Sequence, residues 1–341
     1  MAQVVTIGLD IAKSVFQVHG VAADGEVLIR RQLRRAQLIA FFAKLPPCLI
    51  GLEACASAHF WGRELRRLGH KVRLMPPSYV KPYVKRQKND AADAEAICEA
   101  VTRPTMRFVE VKSPEQQSVM VLHKVRMMLI RQRTQLSNAV RGHMAEFGLV
   151  GPIGREGLAG LLKIVEAADE RLPEEARVCL ELLGGQLRLV NQQILETDRR
   201  IRTSARATEV GRRLMTIPGV GPLLASALVA TIADPKAFKT GRNLAAWIGL
   251  VPKQNSSGGK ERLGGITKQG DRYLRQLMVV GALAVVRYAQ QHGTRRPWLV
   301  QLLARRPTKV ATVALANKIA RMAWAVMTTG ETYREPELRA A

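Results

Sequence analysis

Four acidic residues occupy positions where a phosphoryl-transfer enzyme would need them. Asp10 follows an apolar, β-rich run at residues 4–9, and Glu53 follows another at residues 48–52. Asp90 and Asp93 open a predicted helix, and their three-residue spacing puts both on one helical face. Because α/β sheets place their sites just beyond strand ends, these side chains could converge.

Converging carboxylates indicate a site for divalent cations. They would repel one another unless cations lay between them, and hard oxygen ligands suit Mg²⁺ or Mn²⁺. Two such ions about 4 Å apart can polarise a scissile phosphate and stabilise the attacking and leaving oxygens. Each acid alone also has a structural explanation, because Asp90 and Asp93 could complement a helix dipole and Asp10 could cap a turn. Their shared strand-and-helix order favours the metal site, with phosphate-binding cations just before the last pair: Lys81, Lys85, Arg86 and Lys88.

A segment rich in serine and glycine, residues 251–262, is the second candidate. Ser256 and Ser257 offer adjacent hydroxyls, but an unactivated serine is a poor nucleophile and needs a base, a metal or an aligned phosphate. A stretch of this composition is usually only a loop, and its spacing does not match a nucleotide-binding phosphate loop. Cations in the segment could neutralise a phosphate and its pentacoordinate transition state: Lys253, Lys260 and Arg262.

The elements that would position the acids form a recognisable order. Three extended runs joined by tight turns open the chain, and helices then alternate with strands: runs 4–9, 15–21 and 26–30, helix 34–44, strand 48–52, helix 59–68 and strand 71–74. This order predicts a ribonuclease-H-like α/β domain with a mixed sheet and helices on its faces. We place that domain at residues 1–112.

Beyond about residue 114 we expect helices and no strands. Residues 113–210 form a predicted helical middle, in which an apolar stripe indicates a coiled-coil seam or an intrachain helical hairpin: Leu180, Leu183, Leu187, Val190, Ile194, Thr197 and Ile201. Residues 211–341 form a predicted, mainly helical third unit containing a loop at 253–270. Its opening segment, 216–222, could bind phosphate at a helix start or simply form a tight turn. Its last helix carries cations on what is either a nucleic-acid contact or a solvated face: Lys309, Lys318 and Arg321.

The charge balance indicates a polyanionic partner. The 341 residues include 53 Lys and Arg against 28 acids, a net charge of +25 that far exceeds what solubility requires. Apolar residues make up 47% of the chain, enough for substantial cores. No uninterrupted apolar run reaches the roughly 20 residues of a bilayer span, and the first residues form a strand pattern, so we expect a cytoplasmic protein. The cysteines lack metal-ligand spacing, as do the six histidines, so we expect no zinc site: Cys48, Cys55, Cys98 and Cys179.

Taken together, four stretches resemble the DEDD transposases of insertion-sequence family 110, also described as bridge-RNA-guided recombinases. They are Ile7-Gly-Leu-Asp10-Ile-Ala-Lys13, Gly51-Leu-Glu53-Ala, Lys88-Asn-Asp90-Ala-Ala-Asp93-Ala and a carboxyl-terminal part. That part runs from Ile217-Pro-Gly-Val-Gly221 through Gly249-Leu-Val-Pro252 and Ser256-Ser-Gly258 to Lys268-Gln-Gly-Asp271. The resemblance covers nearly the whole chain, whereas the middle helices match in character only.

The resemblance implies a RuvC-like domain whose four acids are Asp10, Glu53, Asp90 and Asp93, with Mg²⁺ or Mn²⁺ as cofactor. It implies a serine in the carboxyl-terminal domain that attacks DNA and forms a covalent phosphoserine link. Ser257, which precedes Gly258, matches that serine best, and Ser256 remains an adjacent candidate.

The resemblance also implies an assembly. Family members dimerise through the helical middle and form tetramers that hold two DNA duplexes, with the acids and the serine of one site coming from different subunits. A structured bridge RNA pairs with donor and target DNA, so backbone contacts would supply affinity and base pairing would supply sequence choice. The protein would be nucleoid-associated when active.

Three other functions compete with recombination. A junction-resolving nuclease would use the same metal site with water as nucleophile and leave Ser257 structural. An actin-like kinase would use Ile7-Gly-Leu-Asp10 as a phosphate segment, but the chain has no second glycine-rich adenosine motif and its charge is unusual for a kinase. A catalytically inactive RNA-binding protein would need only the basic surface.

Overall fold

The structure, a computed structural model, describes residues 2–85, 89–293 and 296–335. These residues divide into two compact units. The first contains the chain up to Pro114 together with Ile232–Ala237, and the second contains Glu115–Thr231 and the residues from Phe238 onward.

The first unit is built on a five-stranded mixed sheet. Its strands are β1 (Thr6–Ile11), β2 (Val15–Val21), β3 (Val27–Arg34), β4 (Leu49–Glu53) and β5 (Lys71–Met75), in the spatial order β3-β2-β1-β4-β5. β2 is antiparallel to β1 and β3, whereas β4 is parallel to β1 and β5. The predicted mixed sheet with helices is confirmed, and its order is consistent with a ribonuclease-H-like domain.

Helices cover both faces of this sheet. The helices of the unit are α1 (Leu38–Phe42), α2 (Ala58–Arg67), α3 (Pro77–Val80) and α4 (Asp90–Val101). The helix expected at 34–44 begins as a 3₁₀ turn at Arg35–Gln37 and continues as α1. On one face, the main core joins strand residues to α1 and α2: Ile7, Leu9, Phe16, Val18, Ile50, Leu52, Leu38, Phe42, Trp61 and Leu65. On the other face, α4 packs over β1, β2 and β4.

The second unit is mainly helical. Its helices are α5 (Pro114–Ala145), α6 (Arg155–Glu166), α7 (Glu174–Ala207), α8 (Glu209–Leu214), α9 (Pro222–Thr231), α10 (Gly241–Ile248), α11 (Arg272–His292), α12 (Pro297–Arg305) and α13 (Thr308–Thr329). The expectation of no strands after residue 114 is wrong, because β6 (Pro252–Gln254) and β7 (Leu263–Ile266) form an antiparallel hairpin. Pro-Lys-Gln and Leu-Gly-Gly-Ile lack the apolar alternation that marks a half-buried strand, so the pattern gave no signal.

The apolar stripe of α7 is covered by helices of the same chain. Val190 and Ile194 pack against Leu129 of α5, and Leu180 packs in a cluster with Val140 and Met144 of α5 and Leu161 of α6. Arg126 on α5 donates a 2.5 Å hydrogen bond to Asp198 on α7, so α5 and α7 run antiparallel along this seam. The seam therefore matches the intrachain hairpin, and the coiled coil is not confirmed.

The glycine-rich opening at 216–222 is a tight turn between α8 and α9. Gly219 has a φ of +90°, and a Cβ there would lie 2.9 Å from the Gly281 carbonyl oxygen of α11. A Cβ on Gly281 would in turn lie 2.0 Å from the Gly219 oxygen. These two glycines therefore allow the turn and α11 to approach closely. Backbone packing is a sufficient reason for glycine in the segment 216–222.

Among the described residues, α13 is the one helix whose length and composition would suit a membrane span. It carries Lys318 and Arg321, and its eight buried residues line one face. That face packs against α10 and α11. The helix is therefore explained as a core helix of the second unit.

Candidate active site

The sheet register sets Asp10 and Glu53 beside each other at the ends of neighbouring parallel strands. Gly8 pairs with Gly51 and Leu9 with Leu52, so Asp10 and Glu53 follow in the same register. Because Leu9 and Leu52 are buried in the main core, the alternation of a strand directs Asp10 and Glu53 to the opposite face, where α4 lies. Both carboxylates are half-buried.

Two glycines let α4 lie directly on the strands. A Cβ on Gly8 would lie 2.0 Å from the Ala94 carbonyl oxygen, and one on Gly51 would lie 2.8 Å from the Val101 Cβ. Any side chain at either position would lift α4 from the sheet. The absence of side chains at Gly8 and Gly51 therefore allows the first turn of α4 to lie at the ends of β1 and β4.

The first turn of α4 carries two of the acids. Asn89 is the N-cap, since its side-chain oxygen accepts a 2.8 Å hydrogen bond from the Ala92 amide. Asp90 and Asp93 are therefore not needed as caps. Carboxylate oxygens of Asp10, Asp90 and Asp93 all lie within 4.8 Å of one another. We call these three residues the acid cluster.

Glu53 lies next to the acid cluster but is not one of its three members. Burial is the main cause that raises the pKa of the Cys55 thiol, and the negative charges of Glu53 and Asp10 raise it further, so both acids lie near that thiol. The structure thus brings together three of the four expected acids and holds the fourth at the neighbouring strand position. Three clustered carboxylates, with a fourth nearby, fit a hard divalent cation.

The basic residues expected before α4 differ in their exposure and in their partners. Lys81 is exposed, and the Lys85 ammonium lies 3.5 Å from Glu95 and 3.6 Å from Glu99 on α4. Arg86 and Lys88 lie outside the described residues. Lys85 therefore already has carboxylate partners within the unit.

The serine segment belongs to the second unit and is the tip of the β6–β7 hairpin. Ser257 and Lys260 form an isolated bridge around Gly258 and Gly259, whose φ values are +56° and +76°. Positive φ at both central residues is the signature of a type I′ turn, which suits the twist of a two-stranded hairpin. Within the predicted loop, these two glycines therefore define a specific turn.

The two serines differ in their hydrogen bonding. The Ser256 hydroxyl accepts a 3.1 Å hydrogen bond from the Arg262 amide across the hairpin. The Ser257 side chain is exposed at the turn and makes no hydrogen bond to another of the described residues. Lys253, Lys260 and Arg262 are exposed along the same hairpin. The hairpin thus presents one hydroxyl and several cations to solvent.

The roots of the hairpin are held by residues that sequence reasoning missed. The Arg275 guanidinium on α11 donates to the Ile248 oxygen at 2.8 Å and to the Gln269 oxygen at 3.0 Å. The Asn317 amide on α13 donates to the Leu250 oxygen at 3.2 Å. The bonds to Ile248 and Leu250 join residues 27 and 67 positions apart, so no local pattern could have revealed them.

The cations of the last helix also differ among themselves. Lys309 and Arg321 are exposed, whereas the Lys318 ammonium lies 4.4 Å from the centre of the Trp298 ring. Burial lowers the pKa of Lys318, with smaller contributions from Arg296 and Arg321. Lys318 is thus already engaged in a cation–π contact within the unit.

Proteins similar to this chain include several transposases of insertion sequences. Residues 211–296 match the family model described as "Transposase IS116/IS110/IS902 family", and residues 7–148 match a DEDD-type transposase model of IS110. A "Probable family 20 transposase" of Pseudomonas aeruginosa is 51% identical over 96% of this chain and 98% of its own length. Transposases for the insertion sequence elements IS1328 of Yersinia enterocolitica and IS1111A of Coxiella burnetii are 39% and 40% identical over 98% of this chain, and the match covers 99% and 92% of those proteins.

Proposed function

This chain belongs to the IS116/IS110/IS902 family of insertion-sequence transposases, and from that premise we propose that it cuts and rejoins DNA by serine attack assisted by divalent metal ions. The observation that carries the proposal is the meeting of Asp10, Asp90 and Asp93 at the end of the central strands. As a member of this family the protein is a DNA-processing enzyme, and its net charge of +25 suits a nucleic-acid substrate.

The acid cluster, together with Glu53, would hold Mg²⁺ or Mn²⁺. Bound there, such ions would polarise a scissile phosphate and stabilise the negative charge of the transition state. The chain's own contribution is positioning: Gly8 and Gly51 admit α4 to the sheet, and the Asn89 cap starts the helix so that Asp90 and Asp93 face Asp10.

Ser257 is the proposed nucleophile. Its Oγ would attack the phosphorus, forming a phosphoserine bond as the bond to a deoxyribose oxygen breaks and that oxygen leaves with a proton. A second DNA hydroxyl would reverse the step, so the phosphodiester energy is conserved and no nucleotide cofactor is consumed. The exposure of the Ser257 hydroxyl supports this choice, whereas the Ser256 hydroxyl accepts a hydrogen bond from the Arg262 amide. Lys253, Lys260 and Arg262 would neutralise the phosphate.

A structured guide RNA and self-association complete the proposal. The net charge of +25 would serve backbone contacts with RNA as well as with DNA, while base pairing with the guide RNA would supply sequence choice. A second apolar stripe on α7, about 120° around the helix from the intrachain seam, supports a dimer that assembles into a tetramer: Val178, Leu182 and Leu189, which are 45%, 65% and 54% exposed. We expect the protein to act in the bacterial cytoplasm, at the nucleoid, with Arg86, Lys88, Lys309 and Arg321 among its nucleic-acid contacts.

Trapping of a covalent adduct tests the nucleophile. Wild-type protein incubated with DNA of the element's ends, its guide RNA and Mg²⁺ should give a denaturation-resistant protein–DNA adduct. Ser257→Ala should abolish it and Ser256→Ala should retain it. Strand cleavage that survives in Ser257→Ala would favour a nuclease that uses water.

Acid substitutions test the metal site separately. Asp10→Ala and Asp93→Ala should abolish recombination while leaving RNA affinity largely unchanged, because both residues would act on the reacting phosphate only through bound cations. Asp24→Ala, in the β2–β3 turn, is the control and should retain activity. Loss of RNA binding in proportion to activity would instead assign the acids a structural role.

A further inference from the structure

A polar row crosses the sheet from the acid cluster to its open edge. Asp10 on β1 pairs with Gln17 on β2, and Gln17 pairs with Gln32 on β3. Because neighbouring strands lie about 4.8 Å apart, the row extends roughly 10 Å from Asp10. β3 is the edge strand, so the row ends at open solvent.

The row shares the face of the acid cluster. Phe16, Val18 and Leu33 are buried in the main core, so Gln17, Gln32 and Arg34 alternate to the opposite face, which is that of Asp10. The ion pair between Arg30 on β3 and Glu95 on α4, at 3.8 Å, confirms the direction in which the even-numbered residues of β3 point.

Two exposed cations flank the row at the end of the sheet where Asp10 lies. Arg34 ends β3, and Lys13 lies in the β1–β2 turn beside it, where the Ser14 oxygen accepts a 2.9 Å hydrogen bond from the Arg35 amide. Neither Arg34 nor Lys13 has an acidic partner among the described residues. We call Lys13, Gln17, Gln32 and Arg34 the acid-face strip.

The other arginines near this edge have contacts within the unit. Arg31 lies 5.8 Å from the Phe41 ring and Arg35 lies 4.9 Å from the Trp61 ring, both on the core side, and Arg30 pairs with Glu95. Charge on an edge strand discourages pairing with another chain, and charge on either face would serve that purpose. Protection of the edge therefore does not explain why Arg34 shares the face and end of the acid cluster.

We infer that the acid-face strip binds the phosphodiester backbone of the DNA strand whose reacting phosphate lies at the acid cluster. A row of roughly 10 Å is long enough to contact more than one phosphate of a single DNA strand. The Arg34 guanidinium offers a fork of donors to a phosphate, and the glutamine amides offer neutral donors. This inference rests on the proposed function only in assigning the acid cluster as the reaction site.

Matched substitutions on β3 test the inference. Arg34→Gln and Arg31→Gln remove the same charge from exposed positions on opposite faces of one strand. Binding of each full-length variant to a fluorescein-labelled DNA duplex is measured by anisotropy over a series of salt concentrations in Mg²⁺. We expect Arg34→Gln to weaken binding several-fold and to lower the salt slope by about 1, and Arg31→Gln to match the wild type. Gln32→Glu, which adds a negative charge to the strip, should weaken binding in the same way.

Two outcomes would overturn the inference. One is equal DNA affinity and equal salt slope for Arg34→Gln and Arg31→Gln. The other is a loss confined to an RNA duplex of the same sequence, which would assign the strip to the guide RNA. The experiment measures binding, so its result does not depend on the chemical step. If Arg34→Gln weakens DNA binding but the wild type forms no trapped adduct, the serine mechanism is contradicted and the inference about the acid-face strip still holds.

Discussion

At the scale of single residues, the second unit contains a buried histidine whose hydrogen bonds connect three helices. His123 on α5 is 1% exposed, and its ring nitrogens lie 2.9 Å from the Tyr273 hydroxyl on α11 and 3.1 Å from the Ser226 hydroxyl on α9. Burial, assisted by the charge of Arg126, lowers the pKa of His123 to about 4. The native unit therefore holds this imidazole neutral.

His123 should make the stability of the second unit depend on pH. An unfolded histidine has a pKa near 6.5, so between about pH 6.5 and pH 4 the unfolded chain binds more protons than the native one. The free energy of unfolding should fall as pH falls through this range and should be free of this penalty above it. His123→Gln keeps an amide for hydrogen bonding but cannot titrate, so its acid-induced loss of stability should be smaller. Urea unfolding at a series of pH values measures the effect.

His143→Gln is the matched control for that experiment. His143 lies on the same helix, α5, but is exposed. Its replacement should leave the pH profile of unfolding unchanged. A His123→Gln profile with the same slope as the wild type would show that another group causes the acid sensitivity.

The residues of the acid site were predictable in part. Asp10 and Glu53 follow apolar runs, and Asp90 and Asp93 open a helix, so their convergence followed from the strand-and-helix order. The separation of Glu53 from the three-carboxylate group depends on side-chain geometry that sequence order does not contain. The difference between Ser256 and Ser257 likewise depends on one hydrogen bond across the hairpin.

At the scale of elements, we expect the turn of the β6–β7 hairpin to position Ser257 for attack. Gly259 has a φ of +76° with no atoms near its missing Cβ, so alanine would meet no clash but would be strained by its backbone conformation. That strain costs about 1 kcal/mol, and the rate of adduct formation should fall roughly fivefold. The thermal midpoint should fall by no more than about 3 °C, because strain of this size is small against the unfolding entropy of the whole unit.

Gly265→Ala is the control on the same hairpin. Gly265 lies in β7, where an added Cβ would have no atoms within 4 Å, and its φ is not positive. Rapid-quench measurements of adduct formation should therefore show wild-type rates for this variant. Equal rates for Gly259→Ala and the wild type would mean that the turn does not position the serine.

The elements divide clearly into those that pattern predicts and those that it does not. All five strands of the sheet follow from β-rich runs bounded by turns, because burial of one or both strand faces leaves a strong apolar signal. The β6–β7 hairpin leaves none, since its strands are exposed. The stripe on α7 correctly predicted a buried helix face. Periodicity along one helix could not show that α5 of the same chain covers it, because that depends on the tertiary fold.

At the scale of the whole molecule, the second apolar stripe of α7 predicts self-association. Leu182→Glu and Leu189→Glu would put charges into the proposed contact, so each should shift the protein toward monomer in sedimentation experiments. Leu195→Glu is the control, because Leu195 is 58% exposed on the same helix but, at 100° per residue, lies on another side of it. An unchanged assembly in both Leu182→Glu and Leu189→Glu would exclude this face as the interface.

The central claim is that the acid cluster binds divalent metal ions, and anomalous diffraction tests it most directly. Crystals of the full chain soaked in Mn²⁺ should give an anomalous peak between the carboxylates of Asp10, Asp90 and Asp93. Asp93→Asn crystals should lose or weaken that peak while the sheet and α4 stay in place. Absence of a peak at the acid cluster in wild-type crystals, with Mn²⁺ bound elsewhere or not at all, would contradict the account.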